Sequence, residues 1–401
     1  MDTEVNRLTE KLHACGTMAV IVVAGAGTQS TSWLLQVPGA SRTVLEILVP
    51  YASASLVEYL GHEPAQSVSA ETAEQMARLA YRRAVRLRPG NEHVAGVAST
   101  AAIASDRPKR GDHRCYVCAW DATGATTYSL TLAKGLRDRA AEDRVVSLLV
   151  MRALAEAGGV SFDLPLELRG DERVEVSRVS YVDGVEALIA DHVSTATLEG
   201  DGLQGDGRVA ADEPVSGAVL AGSFNPLHEG HRQLADAASK ILSDDVTFEL
   251  SVTNVDKPPL AENEVRARAS QFRSMGRLVL TRAPVFFEKA RLFPGRTFVV
   301  GWDTMARLVD PKYYNGSSTQ MLLALEEIRG LGCSFLVAGR ADGARFHTLD
   351  DVAVPDGFER MFRSIPESAF RYDVSSTELR GPAGSSGPDR STSPAKDRET
   401  A

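Results

Sequence analysis

The sequence has few cysteines and no excess of basic residues, and these two shortages exclude several classes of protein. Four cysteines in 401 residues cannot form the disulfide framework of a small secreted domain. The formal net charge is −9, with 44 Lys and Arg against 53 Asp and Glu. A duplex nucleic acid is therefore not expected as the main partner, because phosphate contacts require a basic face. The net charge does not exclude a small anionic ligand, because such a ligand needs only a local cluster of hydrogen-bond donors.

Long apolar segments are also absent. The longest apolar run, TMAVIVVAGAG at 17–27, is shorter than the roughly 20 residues that span a bilayer. The amino-terminal stretch MDTEVNRLTEKLHACG is acidic and amphipathic, and it lacks the basic start and apolar core of a signal peptide. We predict a cytoplasmic protein with no membrane partner.

Two of the cysteines form a CxxC motif, Cys115 and Cys118, in RCYVCAW. No second pair accompanies them, and the surrounding residues predict a strand, in which positions three apart point to opposite faces. We interpret the pair as reduced and structural, with a zinc or redox site as the alternative.

The length predicts more than one domain, and 43% hydrophobic and 24% charged residues are typical of a globular protein. Residues 1–195 alternate helical and strand patterns and predict an α/β domain with a β extension. Residues 196–215 are rich in glycine and acidic residues and predict a linker. Residues 216–380 predict a second α/β domain, a Rossmann-like doubly wound parallel sheet with helices on both faces. The Gly, Pro and Ser content of 381–401 predicts a disordered tail.

The stretch AGSFNPLHEGH at 221–231 follows an apolar strand of the second domain. Gly222 marks a bend at the carboxyl edge of the predicted sheet, where doubly wound folds bind ligands. Pro226 cannot lie inside a helix, so the helix begins later, with His228 and His231 on one face of its first turn. Unpaired N–H groups at a helix start, together with two imidazoles, suit a polyphosphate. The alternatives are two core histidines, or a metal site that no nearby carboxylate completes.

A second motif, YDVSSTELR at 372–380, lies far away in sequence. It places Ser375, Ser376 and Thr377 at a predicted helix start, with Arg380 in the first turn. The alternative is a simple capping box, worth about 1 kcal/mol of helix stability. Hydroxyls, free amides and an arginine can equally hold phosphate oxygens. Because both motifs bracket one α/β domain, we predict that they share a phosphate ligand.

These two motifs resemble those of a known family. GSFNPLHEGH is similar to the GxFxPxHxGH motif of the HxGH nucleotidylyltransferases, and VSSTELR is similar to their ISSTxxR motif. The stretches NVDKPPLAENEVRAR at 254–268 and VVGWDTMARL at 299–308 resemble the nicotinamide/nicotinate mononucleotide adenylyltransferase branch. The resemblance covers roughly 216–380. It implies adenylyl transfer from ATP to a mononucleotide phosphate, which yields a dinucleotide and pyrophosphate, with Mg²⁺ entering on ATP.

The resemblance also implies roles for single residues. His228 and His231 contact the ATP phosphates, with His231 steadying the α-phosphate, and Arg380 holds the leaving β- and γ-phosphates. The other residues implied in ATP or substrate binding are Gly222, Ser223, Phe224, Lys257, Gly301, Trp302, Asp303, Ser375, Ser376 and Thr377. Among these, Asp303 would accept from a ribose hydroxyl. Trp302 is either a stacking platform for a pyridine ring or a core aromatic, and both interpretations stay open.

This chain departs from the family motif at three places. Ala221 stands where the motif has one more glycine, Asn225 replaces a frequent aspartate, and Leu227 fills a variable position. None of these changes removes a phosphate contact. The stretch 310–345 matches no family motif. The acceptor is therefore left undetermined between nicotinamide mononucleotide, nicotinate mononucleotide and another phosphate.

The first domain resembles the carboxyl-terminal domain of the CinA family, which includes nicotinamide mononucleotide deamidases. The similar segments are VPGASRTVLEILVPYASASLVEYLG, VSAETAEQMARLAYRRA and VAGVASTAAIASDRP. By this resemblance Ala26 stands where the nucleophilic serine belongs, and Ser55 replaces an expected lysine near Tyr51. An alanine has no oxygen with which to attack an amide.

Other residues in or near the same turn allow two further functions for this domain. Ser30 or Ser32 could substitute as a nucleophile, although no base is placed for either, and AGAGT at 24–28 could shape an anion-binding turn. We therefore favour a binding or scaffold role for this domain, which also allows a homo-oligomer. For the whole chain, the rivals to an adenylyltransferase are another nucleotidylyltransferase or ATPase, and a non-catalytic nucleotide-binding scaffold.

Overall fold

A computed structural model describes residues 3–106, 110–200, 208–255, 258–273, 275–342 and 345–372. The chain divides into two compact units. The first unit is built from Met1–Val215, Val252–Glu262 and Val279–Ala283, and the second from Ser216–Ser251, Asn263–Leu278 and the residues after Ala283.

The chain to Ala211 contains both helices and strands. In order they are α1 (Thr3–Ala14), β1 (Met18–Ala24), α2 (Thr28–Gln36), β2 (Val44–Leu48), α3 (Ser53–Leu60), α4 (Ala70–Leu87), β3 (Val94–Ala102), β4 (His113–Asp121), β5 (Gly124–Leu132), α5 (Arg139–Ala157), β6 (Val174–Ser180), α6 (Gly184–Ile189), β7 (Thr195–Glu199) and β8 (Arg208–Ala211).

The rest of the described chain also contains both helices and strands. The elements are β9 (Ala218–Ala221), α7 (Glu229–Leu242), β10 (Val246–Ser251), α8 (Glu262–Ala269), β11 (Leu278–Thr281), α9 (Phe286–Leu292), β12 (Thr297–Gly301), α10 (Trp302–Leu308), α11 (Ser318–Gly330), β13 (Ser334–Ala338), β14 (Arg340–Asp342), β15 (Arg345–His347) and β16 (Phe362–Ser364).

The first unit is organised around a six-stranded sheet with the order β2-β1-β3-β4-β5-β6. β1 is parallel to β2 and β3, whereas β3, β4, β5 and β6 pair antiparallel. All seven residues of β1 are buried, as its continuous apolar sequence predicts for a strand covered on both faces. Two long helices are capped by Ser69 and Asp138, whose side chains accept from Thr72 N–H and Ala141 N–H. The mixed α/β prediction for this part of the chain is confirmed.

The prediction of a linker over 196–215 needs correction, because two strands lie in it. β7 and β8 pair antiparallel, with Ala196 opposite Ala211, and β11, β7 and β8 are adjacent in this order. The first four residues of β7 are buried. The carboxylate of Asp212 accepts from Thr195 N–H at 2.8 Å, which closes the end of the pair. Glycine and acidic content dominated the composition of the segment and hid the strand pattern TATL.

In the second unit, five strands lie in the order β16-β13-β12-β9-β10, and each described neighbour pair is parallel. The parallel α/β prediction is therefore confirmed. Glu249 of β10 and Lys289 of α9 form a buried ion pair, with Nζ 2.7 Å from both carboxylate oxygens. Because the strands are parallel, the turns that follow β9, β12 and β13 lie at one edge of the sheet.

Most predicted elements are present within a few residues of their expected bounds, but three short helices, α3, α6 and α10, were not predicted. α3 begins without a side-chain cap after Ala52, and α10 is only seven residues long. Short helices without caps carry little periodic pattern. The helix predicted near 375 and the tail at 381–401 lie outside the described residues.

The two cysteines of the CxxC motif are free thiols. Burial raises the pKa of Cys115 and of Cys118 to about 12, so neither is a reactive thiolate at neutral pH. Both therefore act as buried structural side chains. In the described part of the chain, no helix has the length and apolar content needed to cross a membrane.

Candidate functional site

The turn that follows β9 is shaped by a buried aromatic ring. Phe224 is 1% exposed and has a φ of +44°, a left-handed conformation that costs a residue with a side chain. A Cβ built on Gly222 would lie 2.7 Å from the ring of Phe224. Glycine is thus needed at 222 to admit this ring. The ring in turn meets His231 edge-on, with centroids 5.0 Å apart.

Two residues that the sequence did not identify hold this turn in place. The side chain of Gln271 accepts from Leu227 N–H at 2.9 Å and donates to the Phe224 carbonyl at 3.2 Å. Arg268 donates from Nη1 to the carbonyl of Ser223 at 3.0 Å and forms an ion pair with Glu264 one turn earlier. Arg268 therefore brings a permanent positive charge to the turn. It lies in the stretch 254–268 that resembles the family, and that position was the available clue.

The two predicted histidines meet at the start of α7. His228 is the residue before the helix, with extended backbone, and the helix begins at Glu229, as Pro226 predicted. The rings of His228 and His231 stack, with centroids 3.7 Å apart and planes 29° apart. The backbone N–H of His228 donates to Nδ1 of His231 at 3.3 Å. Because Nδ1 accepts this bond, the proton of the neutral His231 ring is on Nε2.

Both histidines are poor bases in this environment. Burial lowers the pKa of His228. Burial, and then repulsion from His228, lower the pKa of His231 to about 4. Of the two options open from the sequence, cationic or neutral hydrogen-bonding histidines, the environment favours neutral ones. The positive charge for a polyphosphate must then come from arginine or lysine.

Tyr372 packs against this pair of histidines, and sequence reasoning missed it. Its ring is nearly parallel to that of His228, at 6°, with centroids 5.6 Å apart. A Cβ built on Gly230 would lie 2.4 Å from Tyr372 Cδ1. The first residue of the second predicted motif is therefore in contact with the first motif. The predicted residues Lys257, Ser375, Ser376, Thr377 and Arg380 lie outside the described part of the chain.

A second group of predicted residues lies at the end of β12, which is the neighbour of β9. Gly301 precedes α10, and Trp302 and Asp303 are its first residues. Trp302 stacks on His347 of β15, with centroids 4.5 Å apart and planes 28° apart. Asp303 forms an ion pair with Arg340 of β14. Arg340 and His347 were missed because the sequence around 310–345 matched no known pattern.

The described residues contain no group of three or more His, Cys, Asp or Glu side chains that could hold a metal ion.

In the first unit, the turn before α2 is filled by a side chain of the chain itself. The carboxylate of Asp143 accepts from Gly27 N–H at 2.8 Å, from Thr28 N–H at 3.1 Å and from Gln29 N–H at 3.2 Å. An anion-binding turn is thus present as predicted from 24–28, but its occupant is internal.

The candidate nucleophiles of this turn are not activated. Ala26 is fully buried. Ser30 is also fully buried, and its hydroxyl donates to the Gly27 carbonyl at 2.6 Å. The hydroxyl of Ser32 accepts from the Gln36 side-chain amide at 2.7 Å. Neither serine has a base within these contacts.

The carboxyl-terminal part of the chain matches a known protein family. Residues 219–381 match the cytidylyltransferase-like family, so the carboxyl-terminal part of the chain contains a cytidylyltransferase-like domain. A putative nicotinamide mononucleotide adenylyltransferase from Schizosaccharomyces pombe is 29% identical over 126 residues, which cover 28% of this chain and 49% of that protein. The chain thus spans about half the length of this curated relative.

Solved structures similar to the amino-terminal part are CinA-type proteins. One is a competence/damage-inducible protein from Agrobacterium tumefaciens, with 19% identity, a TM-score of 0.31, and coverage of 39% of this chain and 94% of that one. Another is a competence or damage-inducible protein from Enterobacter asburiae, with 17% identity, a TM-score of 0.32, and coverage of 39% and 98%.

Proposed function

We propose that the cytidylyltransferase-like domain transfers the adenylyl group of ATP to the phosphate of a pyridine mononucleotide, nicotinamide or nicotinate mononucleotide. The products are the dinucleotide and pyrophosphate. The observation that carries this proposal is the stacked pair His228–His231 at the start of α7, with Nδ1 of His231 fixed by a backbone N–H.

The proposal assigns the phosphates of ATP to the edge of the sheet that follows β9. A helix start supplies free N–H groups there, and His231 can donate from Nε2 to a phosphate oxygen. A neutral donor costs less to bury beside Phe224 than a charged one. Arg268 donates a hydrogen bond to the Ser223 carbonyl in the same turn and contributes positive charge. The remaining charge is assigned to Lys257 and Arg380, which stay predictions.

In this mechanism no protein nucleophile is needed. An oxygen of the acceptor phosphate attacks the α-phosphorus of ATP, the bond from the α-phosphorus to the oxygen that bridges it to the β-phosphorus breaks, and pyrophosphate leaves with that bonding pair. No proton has to be removed from the attacking oxygen, because a phosphate is already anionic. Catalysis then consists of positioning and stabilisation of charge on the phosphate oxygens. His231 would donate to the α-phosphate, and Ser376, Thr377 and Arg380 would hold the leaving pyrophosphate.

The proximity of Tyr372 to His228 supports a shared role for the two motifs. Tyr372 stands three positions before Ser375 in the sequence, so the ring that contacts the first motif belongs to the segment that carries the second.

We assign Mg²⁺ to ATP itself, since the described residues offer no carboxylate cage for it. The pyridine mononucleotide is proposed from the sequence resemblance and from the name of the Schizosaccharomyces pombe relative. For the first unit we propose a binding or scaffold role, in line with its self-filled turn and buried Ser30. A cytoplasmic location and a homo-oligomer formed through this unit stay predictions.

The test is pyrophosphate release from the full chain incubated with ATP, Mg²⁺ and each acceptor in turn. Release that depends on nicotinamide or nicotinate mononucleotide supports the proposal. Release only with another phosphate acceptor would assign the site to a different nucleotidylyltransferase. Release of inorganic phosphate without an acceptor would indicate an ATPase, and ATP binding without turnover would indicate a scaffold.

A further inference from the structure

Three arginines of the first unit converge on a single carboxylate. Nη2 of Arg82 lies 3.1 Å from Oδ1 of Asp191, and Nε of Arg282 lies 3.2 Å from the same oxygen. Arg78 forms an ion pair with the other carboxylate oxygen, Oδ2. We call these four residues, which all belong to the first unit, the Asp191 cluster. Because all three guanidinium groups lie against one carboxylate, their positive charges are close to one another.

The cluster is assembled from three separate parts of the sequence. Arg78 and Arg82 are four residues apart in α4 and therefore lie on one face of that helix. Asp191 follows α6 in a left-handed conformation, with a φ of +59°. Arg282 directly follows β11, and its Nη1 donates to the Ile189 carbonyl at 3.0 Å, which holds the guanidinium beside Asp191. Because tertiary packing builds the cluster, no local sequence motif marks it.

The Asp191 cluster holds more positive than negative charge. Three guanidinium groups face one carboxylate, which leaves two positive charges in excess, although the chain as a whole is acidic. Burial, and then repulsion from Arg78, lower the pKa of Arg82, and the carboxylates of Asp191 and Asp212 do not offset these two effects. A further anion at the cluster would therefore be stabilised by the three arginines.

The other carboxylates of this region are held by backbone N–H groups. Asp212 is buried and accepts from Ser194 N–H and Thr195 N–H, both at 2.8 Å. Asp121 and Glu186 also accept from backbone N–H groups near them in sequence. In the described part of the chain, Asp191 is thus the carboxylate that pairs with the three arginines.

The cluster is open to solvent, so a ligand can reach it. The side chains of Arg78, Arg82 and Arg282 are 30%, 34% and 29% exposed, and that of Asp191 is 42% exposed. Partial burial makes a charged hydrogen bond stronger than it is in bulk water. A guanidinium group also presents several N–H donors in a fixed plane, which suits the oxygens of a phosphate.

The next residue of the same helix shows a balanced pair for comparison. Arg83 donates from Nε and Nη2 to the two carboxylate oxygens of Glu46. Here one guanidinium group meets one carboxylate, and no charge is left in excess. Arg83 therefore provides a matched control for Arg82, because both arginines are carried by α4.

We propose that the Asp191 cluster binds a phosphate group as the dianion, either in free phosphate or on a mononucleotide. The two negative charges of the dianion match the two positive charges in excess, whereas a carboxylate ligand would supply only one. Several phosphate oxygens can accept from guanidinium groups that approach from different elements. The proposal gives the first unit a class of ligand, and it does not depend on adenylyl transfer in the second unit.

The experiment measures the binding of inorganic phosphate to the full chain by calorimetry, at pH 8, at low salt and without ATP. Arg82→Gln removes one charge from the cluster, and Arg83→Gln removes one from the balanced pair. We expect Arg82→Gln to bind phosphate about tenfold more weakly than wild type, because a charge-assisted hydrogen bond is lost. Arg83→Gln should stay within about twofold of wild type. Phosphate bound around His231 would be common to both variants and cancels from their comparison.

Asp191→Asn tests the proposal without removing an arginine. Asparagine tolerates the left-handed conformation of this position, and it removes the internal negative charge that competes with phosphate. This variant should bind phosphate at least about threefold more tightly than wild type, since three positive charges then face the ligand. An ion-pair network with a purely structural role predicts no such gain.

The same titrations with AMP distinguish the two sources of the phosphate group. AMP that binds no more tightly than inorganic phosphate assigns free phosphate as the ligand, and tighter binding of AMP that is lost in Arg82→Gln assigns a nucleotide. Wild type that binds neither probe, equal affinities of Arg82→Gln and Arg83→Gln, or an Asp191→Asn variant that binds no more tightly than wild type would each overturn the proposal.

Discussion

The ring of Tyr372 occupies the space that any side chain at Gly230 would need. A Cβ at Gly230 would lie 2.4 Å from Cδ1 and 2.6 Å from Cε1 of the tyrosine. Gly230 is the glycine between the two histidines in HEGH, so its small size admits Tyr372 against the helix start. The same tyrosine stacks parallel to His228. A single ring thus connects the motif at 228–231 to the chain that leads into 375–380.

Replacing this glycine should therefore destabilise the second unit. Gly230→Ala would raise helix propensity by about 1 kcal/mol if the site were open. The overlap with Tyr372 should reverse the sign, with a net loss of roughly 1–3 kcal/mol in the free energy of unfolding. Urea unfolding measures this loss. The double variant Gly230→Ala/Tyr372→Ala should lose less free energy of unfolding than the two single variants lose together. Losses that add strictly would contradict the contact between Gly230 and Tyr372.

Two replacements of His231 should separate the roles of its two nitrogens. Asn can keep an acceptor near the position of Nδ1 for His228 N–H, whereas Gln can keep a donor near the position of Nε2. If Nε2 donates to the α-phosphate, His231→Asn should lose about 10²–10³-fold in kcat, and His231→Gln should retain more. Pyrophosphate release under saturating ATP measures both. Equal activity of the two variants would remove the donor role of Nε2.

The low pKa of His231 predicts a direction for the pH dependence of stability. Its pKa is about 4 in the folded protein, below the ordinary histidine value of 6.5. The unfolded chain binds the proton first, so the stability that neutral His231 contributes is present above about pH 6.5 and is lost as the pH falls toward 4. Wild type should therefore lose more stability than His231→Asn between pH 7 and 4. Parallel pH profiles of the two proteins would contradict the neutral histidine.

The first unit should show no deamidase activity. The hydroxyl of Ser30 is committed to the Gly27 carbonyl, and the turn beside it is occupied by the Asp143 carboxylate. The full chain should release no ammonia from nicotinamide mononucleotide, and Ser30→Ala should not change this result. Ammonia release that disappears in Ser30→Ala would overturn the scaffold role.

The fold was largely predictable from the sequence because many of its strands are short apolar runs that lie between helical patterns. MAVIVVA at 18–24 predicted a strand buried on both faces, and the structure confirms it. The strands β7 and β8 were missed because local composition outweighed a four-residue pattern. α10 was missed because seven residues cover barely two turns.

The site was predictable only where residues are neighbours in sequence. Pro226 fixed the start of α7, and the spacing of His228 and His231 fixed their shared face. The contacts of Tyr372 and His347 depend on how distant segments pack, and a single sequence does not contain this information. The environment also decided the charge state, because burial next to a second imidazole lowers the pKa of His231 in a way that residue type alone does not indicate.

The most direct test of the account follows the α-phosphate of ATP. Full-length protein is incubated with Mg²⁺, nicotinamide mononucleotide and ATP labelled at the α-phosphate, and the labelled products are separated. We predict that the label appears in the dinucleotide, in amounts equal to the pyrophosphate released, and that His231→Ala reduces both together by at least 10²-fold. Label found only in ADP or AMP, or dinucleotide formed equally well by His231→Ala, would contradict adenylyl transfer at the site formed around His228 and His231.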